Sequence, residues 1–411
     1  MIVQRIEKHL IRQNNPYYSM FCDFTHKSKN LYNHANYLVR NEFVKNEKWL
    51  RYGEMDKMLK TDLEFDDYRQ MPTAQSAQQI LRLLEKDWKS FFKAIKDWSK
   101  HKDKYLGKPK LPGYKPKDGK HLLVLTNQNV KLKDNELCFP KAFNGFTLKP
   151  RFARLENFQS FQQVRIIPGY SHFVVELVYN ISIPDTTLDD NGKYLSIDIG
   201  IDNLATITNN TGKTPVVING KGLKSMNQYY NKMISHYREV AKRMNDSDYT
   251  QRMDKLTRKR NQKIDDYMHK ASRYVIEYAV SMGTNTIFIG NNKEWKQKSK
   301  LSKAVNQSFV GIPQKRFIEM IHYKAQETEL NVVLQEESYT SGTSFLDKEE
   351  PVKTNYDKSR RITRGLFKSN KGIRINADVN GSYQILMKAF PNAFAEGIEG
   401  VALHPIRVNV A

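Results

Sequence analysis

Two rhythms of apolar and polar residues divide the first half of the chain. From Tyr18 to about Trp98 the apolar positions recur at three- and four-residue steps. Leu31, Ala35, Leu38, Val39 and Phe43 form one such series, and Ile80, Leu81, Leu84, Trp88, Phe91 and Phe92 another. That spacing predicts helices, the second opened by a cap at residues 73–77. Elsewhere the period is two. Residues 1–10 alternate weakly, and short alternating stretches follow at 121–126, 129–132, 136–139, 145–148, 163–167 and 173–183. These predict a small β-barrel-like domain, split by the helical insertion and completed by the N-terminal strand. Residues 101–120 have neither period. Pro109, Pro112 and Pro116 among lysines predict an extended strap, suited to a sugar–phosphate chain or to a plain linker.

A boundary falls in 182–192, around Pro184 and the run Asp189, Asp190, Asn191, Gly192. Beyond it, 194–199 reads as a strand and 204–207 as its hairpin return, followed by a strand at 216–219. Long polar helices are predicted over 222–245 and 249–281. Met233, Tyr237, Val240 and Met244 keep one face of the first apolar; Leu256, Ile264, Met268 and Val275 do so for the second. The other positions carry thirteen Arg and Lys, Arg260 among them, which read as a nucleic-acid groove wall or as an ordinary wet hairpin. A strand at 285–289, a helix at 313–328, a strand at 331–334 and a closing helix at 381–389 complete a mixed sheet with helices against it. Residues 392–411 read as a loose tail. The expected fold class is multidomain α+β. Its parts are a split barrel of 1–15 with 100–187, a helical domain of 16–99, a mixed α/β domain of 188–395 with a basic hairpin at 222–281 and an insert at 341–376, and a tail of 396–411.

Charge narrows the function. The 411 residues carry a formal charge of +23, with 22 Tyr and 20 Phe. Such a charge held compactly repels itself and suits a polyanionic partner, and the aromatic residues suit stacking on unpaired bases. No apolar run approaches a membrane span. The first eight residues lack the apolar segment of a secretory signal, so a cytoplasmic, nucleoid-associated location is expected. Cys22 and Cys138 are far apart and predict neither a disulfide framework nor a thiolate metal cluster.

Three places carry acids where chemistry is plausible. Asp198 ends a mostly apolar strand, where burying a carboxylate is costly unless something compensates it. Gly200 beside it removes bulk, so a phosphate backbone could approach. Asp378 stands just before or at the start of the last helix, where the positive end of the helix favours an ionised group. Glu336 and Glu337 follow the strand at 331–334, and on a strand only one of them faces the active side. The bland readings are a surface hairpin with an incidental aspartate, a helix cap at Asp378, and surface glutamates.

At these residues the sequence resembles the TnpB family, transposon-encoded RNA-guided nucleases similar to the ancestors of type V CRISPR effectors. The resemblance is carried by residues 196–205 (SIDIGIDNLA), 339–341 (YTS) and 376–383 (NADVNGSY). Residues 78–81 with Phe91 and Phe92, and 108–114, carry it more loosely. It implies an RNase H-like (RuvC-like) nuclease domain with Asp198, Glu337 and Asp378 as catalytic metal ligands. Mg2+ is implied as the cofactor, two ions with Mn2+ able to substitute. The implied partners are a guide RNA from the transposon end and double-stranded target DNA read beside a short adjacent motif. The expected function is RNA-guided DNA cleavage; a nuclease-inactive RNA-guided DNA binder and a DDE-type transposase are the alternatives. Two departures from the family pattern stand out. The family's middle acid usually ends the strand that here reads Ile287, Phe288, Ile289, Gly290, with no acid. Glu337 matches the position used by a branch of the family, with Glu336 and Glu294 as other candidates. The two cysteine pairs usual before the last aspartate are also missing, since 341–377 holds neither Cys nor His. No structural zinc is expected there. Phe345, Leu346, Ile362, Leu366 and Phe367 are expected to form a small core instead, with Lys358, Arg360, Arg361, Arg364, Lys368 and Lys371 outward.

Overall fold

The computed structural model describes residues 1–62, 64–185, 187–291, 311–394 and 403–410. The chain divides into two compact units, Met1–Ile183 and Pro184–Ala411. Among the described residues no helix is long and apolar enough to cross a membrane.

In the first unit the helical period becomes α1 (Tyr18–Asn46), α2 (Tyr52–Thr61) and α3 (Ala74–Lys100). Thr73 caps α3, its hydroxyl accepting from the Ser76 amide while the Ser76 hydroxyl accepts from the Thr73 amide. The strands predicted for one split barrel sort into two antiparallel sheets. One has the order β1 (Ile2–Arg12), β7 (His172–Ser182), β6 (Phe158–Pro168), β2 (Leu123–Thr126). The other joins β3 (Lys131–Lys133), β4 (Glu136–Cys138) and β5 (Thr147–Leu148). The N-terminal strand does pair with β7, from Ile2 opposite Ser182 to Arg12 opposite His172. The strap after α3 is held by side chains of α1. Lys29, Asn33 and Asn36, spaced to share one helix face, donate to the carbonyls of Lys117, Lys115 and Pro112. Prolines leave those carbonyls without a regular ladder, and α1 supplies their partners.

The second unit contains a six-stranded mixed sheet, in the order β12 (Asn331–Gln335), β11 (Thr286–Gly290), β8 (Tyr194–Asp198), β9 (Asn203–Asn209), β10 (Val216–Asn219), β16 (Ile406–Val408). β8, β11 and β12 run parallel, and β8, β9 and β10 form an antiparallel meander. β16 is a departure from the loose tail expected at 392–411, since it adds parallel to β10 at the sheet edge. Residues 395–402 and 411 of that tail lie outside the described residues. Central strands are buried on both faces, which is why β8 reads as a nearly continuous apolar run. Leu195 and Ile197 pack on one face with α5 (Gln251–Ser281) and α6 (Gln314–Glu327), among residues such as Met268, Val275, Phe317 and Ile321. Tyr194 and Ser196 face the other way, towards α7 (Ala377–Ala389). Ser382 of α7 sits fully buried against β8 and β9, its hydroxyl donating to the Ser196 and Thr206 carbonyls. α7 starts four residues earlier than the sequence pattern placed it.

The basic hairpin is α4 (Lys221–Asn245) and α5. Its charges do not all face water. Arg260 donates to Asn227 and to the Gly311 carbonyl, and the Arg252 guanidinium lies 4.5 Å from the Tyr237 ring centroid. Met244, expected on the apolar face of α4, is exposed.

The insert forms a three-stranded sheet of β13 (Arg361–Thr363), β14 (Leu366–Lys368) and β15 (Arg374–Asn376). Phe345 and Phe367 are its buried centre, joined by Ile375, Val379 and Tyr383. Ile362, expected in that core, is 48% exposed. Arg360, expected to point outward, turns in to Glu349 with two 2.7 Å hydrogen bonds. The Glu349 carboxylate also accepts from the Ser344 amide and from Asn370. This carboxylate ties together the two ends of the cysteine-free segment.

Candidate active site

Side-chain parity along the strands brings the predicted acids to one face. Successive residues of a strand alternate between faces, so Asp198 lies on the α7 side of β8 with Tyr194 and Ser196. On β11 the same side takes Phe288 and Gly290; on β12 it takes Val333, which packs with Phe288 and Leu386, and then Gln335. Continuing that alternation, Glu337 turns towards α7. Glu336 is the more exposed of the two, its side chain held at 2.6 Å by Lys388 in the last turn of α7. Because β8, β11 and β12 are parallel, their carboxyl ends share one edge, where open α/β sheets bind ligands. Glu294 lies outside the described residues.

Gly290 makes room for this arrangement. A Cβ built there would collide with Glu337 Oε2 and lie 2.6 Å from Ile385 Cδ1. The strand end that lacks the usual acid is therefore filled from the neighbouring strand. On the other side, a Cβ at residue 381 would lie 3.1 Å from Asp198 Oδ2, so Gly381 lets α7 approach the end of β8. Gly200 has a different reason from the one read in the sequence, since a Cβ there would be 2.6 Å from the Asn203 carbonyl oxygen of its own hairpin.

Asp378 is not the helix cap. Asn376 has that position, its side-chain oxygen accepting from the Asp378 and Val379 amides. The Asp378 carboxylate is thereby left to project from the first turn of α7, where the helix end favours negative charge. Its Oδ2 accepts from Asn203 at 2.7 Å and its Oδ1 from Arg361 at 3.1 Å. Asp202 nearby is bound by Lys224 at 2.9 Å and by Arg364 at 3.1 Å. Asp198, Asp202 and Asp378 line one cleft of about 670 Å³ with Lys221, Arg361, Arg364 and Arg407. Asn203 and the two insert arginines were not singled out from the sequence as site residues. Asn203 stood inside the quoted motif, but the arginines looked like any others in a basic run.

The carboxylates around this cleft differ in their electrostatic surroundings, and Glu337 is not among the residues that line it. Burial, then the charges of Glu337 and Asp378, raise the Asp198 pKa well above the ordinary carboxylate range, with Arg361 only partly opposing. Burial and the charge of Glu336 push Glu337 up to about 7. Asp202 goes the other way. Burial works against its ionised form, but Lys224 and Arg364 hold it below the usual range. Two acids that resist ionisation beside a third are the environment in which a bound cation is most favourable. The donors are oxygen only, which fits a hard divalent ion such as Mg2+. Among the described residues, however, no group of three His, Cys, Asp or Glu side chains is arranged to hold a metal as it stands. Both oxygens of Asp378 are engaged by protein donors.

Two family models match separate parts of the chain. Residues 172–296 match the family OrfB_IS605, described as a probable transposase, and residues 315–385 match the Cas12f1-like TNB domain. The TnpB-like protein ORF457 of Acidianus two-tailed virus is 23% identical over 400 residues, spanning 88% of this chain and 81% of that protein. Among solved structures, the chain is similar to Cas12f1 in its cryo-EM complex with sgRNA and target DNA. The identity is 13% and the TM-score 0.37, with 93% of this chain and 98% of that one covered. A CRISPR–Cas12f ternary complex matches at the same identity and TM-score over 89% and 80%.

Proposed function

We infer that this chain, which belongs to the TnpB family, is an RNA-guided DNA endonuclease of a transposable element, with Asp198, Glu337 and Asp378 as its metal ligands. The observation that carries this reading is the convergence of Asp198, Glu337 and Asp378, held on three separate elements, on one side of the sheet. Mg2+ bound by these carboxylates would lower the pKa of a water and neutralise charge on the scissile phosphate and the leaving oxygen. The chain's own part is to hold the three acids on separate elements and to exclude side-chain bulk at Gly290 and Gly381. Lys221 and Arg407 in the cleft would draw phosphates towards the acids. The meander β8–β10 continued by parallel β11 and β12 supports the RuvC-like assignment of this unit. Sequence specificity would pass to base pairing between guide and target, as in other RNA-guided effectors.

The test is cleavage of double-stranded DNA by protein co-expressed with its native flanking RNA. Asp198→Ala and Asp378→Ala are expected to reduce Mg2+-dependent cutting to background while leaving RNA retention intact. Cutting by Asp198→Ala at the rate of the unaltered protein would overturn the site. The engagement of both Asp378 oxygens favours a second reading, a nuclease-inactive RNA-guided DNA binder; it predicts RNA retention with no cutting in any divalent metal. Strand-transfer products in the same assay would point instead to a transposase.

A further inference from the structure

The nuclease reading, on which this inference rests, requires Asp378 to face a cation, yet a guanidinium already occupies that place. Arg361 Nε and Nη2 donate to the Arg364 carbonyl oxygen at 3.1 and 2.9 Å, and Nη2 also reaches Asp378 Oδ1 at 3.1 Å. One planar fork thus spans the β13–β14 turn and the carboxylate. Three residues on, Arg364 bridges to Asp202 Oδ2. The same short turn therefore plants two positive charges on two acids of one cleft.

We propose that Arg361 and Arg364 are displaceable counter-ions that keep the cation site unassembled until a nucleic-acid strand enters the cleft and transfers both guanidiniums to its phosphates. The anchoring of the turn makes this a side-chain exchange. Its backbone is fixed, because the Gly365 carbonyl accepts from the Ala377 amide, Phe367 is fully buried and Arg360 is held by Glu349. The two arginine side chains are looser. That of Arg364 is 73% exposed and that of Arg361 is 34% exposed. Ion pairs open to water are weak, so a phosphate can replace a carboxylate at little cost. Phosphate also suits the guanidinium fork as well as a carboxylate does. The exchange leaves Asp378 Oδ1 without its counter-ion and removes the partial compensation that Arg361 gives Asp198. Strand and cation then favour each other's binding, and the coupling is reciprocal.

The experiment measures Mn2+ binding to the full chain by electron paramagnetic resonance, with and without a short phosphorothioate single-stranded DNA. Without DNA, Arg361→Gln is expected to bind Mn2+ about tenfold more tightly than the unaltered protein. DNA should tighten Mn2+ binding to the unaltered protein by a similar factor and add much less to Arg361→Gln. Arg361→Lys, which keeps the charge and loses the fork, should fall between the two. Equal or weaker Mn2+ affinity in Arg361→Gln, or a DNA effect that is the same in both proteins, overturns the proposal. Should Arg361→Gln fail to fold, Arg361→Lys and the DNA dependence of the unaltered protein decide it by the same criteria. Asp198→Asn separates this from the site assignment. If it leaves Mn2+ binding unchanged, the metal reading itself fails, whatever Arg361 does.

Discussion

A methyl group on residue 290 would run into the Glu337 carboxylate and crowd the Ile385 side chain. Both obstacles are ends of flexible side chains, so Gly290→Ala is expected to fold and to displace the carboxylate. The predicted result is a loss of metal-dependent cutting on the order of a hundredfold, with little change in melting temperature, since misplaced catalytic groups cost more than misplaced surface groups. Unchanged cutting would remove Glu337 from the site. A second prediction concerns pH. With the Glu337 carboxyl pushed up to about 7, the folded chain keeps a proton that the unfolded chain releases near the ordinary glutamate value. Its stabilising contribution is complete below about pH 4 and is lost as pH rises through about 7. In metal-free buffer Glu337→Gln should therefore melt above the unaltered protein at pH 8, with the advantage shrinking towards pH 4. Equal melting at pH 8 would contradict this. The sequence named Asp198, Asp378 and a glutamate pair, but left open which glutamate faces in. That choice depends on the pairing of Gly290 with Gln335, which sets the parity of the residues beyond β12, and single-chain periodicity does not contain it.

At the scale of elements, the insert replaces the missing cysteines with polar contacts converging on Glu349. Its side chain and that of Arg360 are 16% and 17% exposed, and removing the Glu349 charge leaves the nearly buried guanidinium with only the more distant Asp357, at 3.9 Å, as an ion-pair partner. Glu349→Gln is expected to cost about 3 kcal/mol at most. Hydrogen exchange should rise across 345–376 but not in β8 or β9. Unchanged exchange in the insert would show that its aromatic core suffices. The sequence pattern captured Phe345 and Phe367 as the centre of this element but set Arg360 and Arg361 outward. Neighbouring arginines look alike in a basic run, and their directions are decided by Glu349 and Asp378, which only folding brings near. Helices and strands with a sustained period were legible nearly to their ends. The exceptions include β6, which starts five residues before the predicted alternation, α7, whose first turn carries the polar Asp378 and Asn380, and β16, which is too short to show alternation.

For the whole molecule, the formal charge of +23 makes affinity for nucleic acid a function of ionic strength. Several phosphate contacts would lower RNA affinity on the order of a thousandfold between about 50 and 200 mM salt. Filter binding across that range checks this, and a flat response would refute a phosphate-dominated interface. The overall charge was plain in the sequence; the diversion of Arg260, Arg360 and Arg361 to internal partners was not, because composition counts charges without their neighbours.

The pairing of β1 with β7 carries a consequence for biosynthesis. Ile2 to Arg12 find their partners only at His172 to Ser182. At ribosomal speed the first strand therefore waits on the order of ten seconds for the second to emerge. The intervening helices, rich in local contacts, can collapse during that interval, whereas the N-terminal segment stays an unmatched edge open to chaperones. Assembly of this sheet is thus a late event in translation, and slowing elongation between codons 13 and 171 would lengthen the exposure.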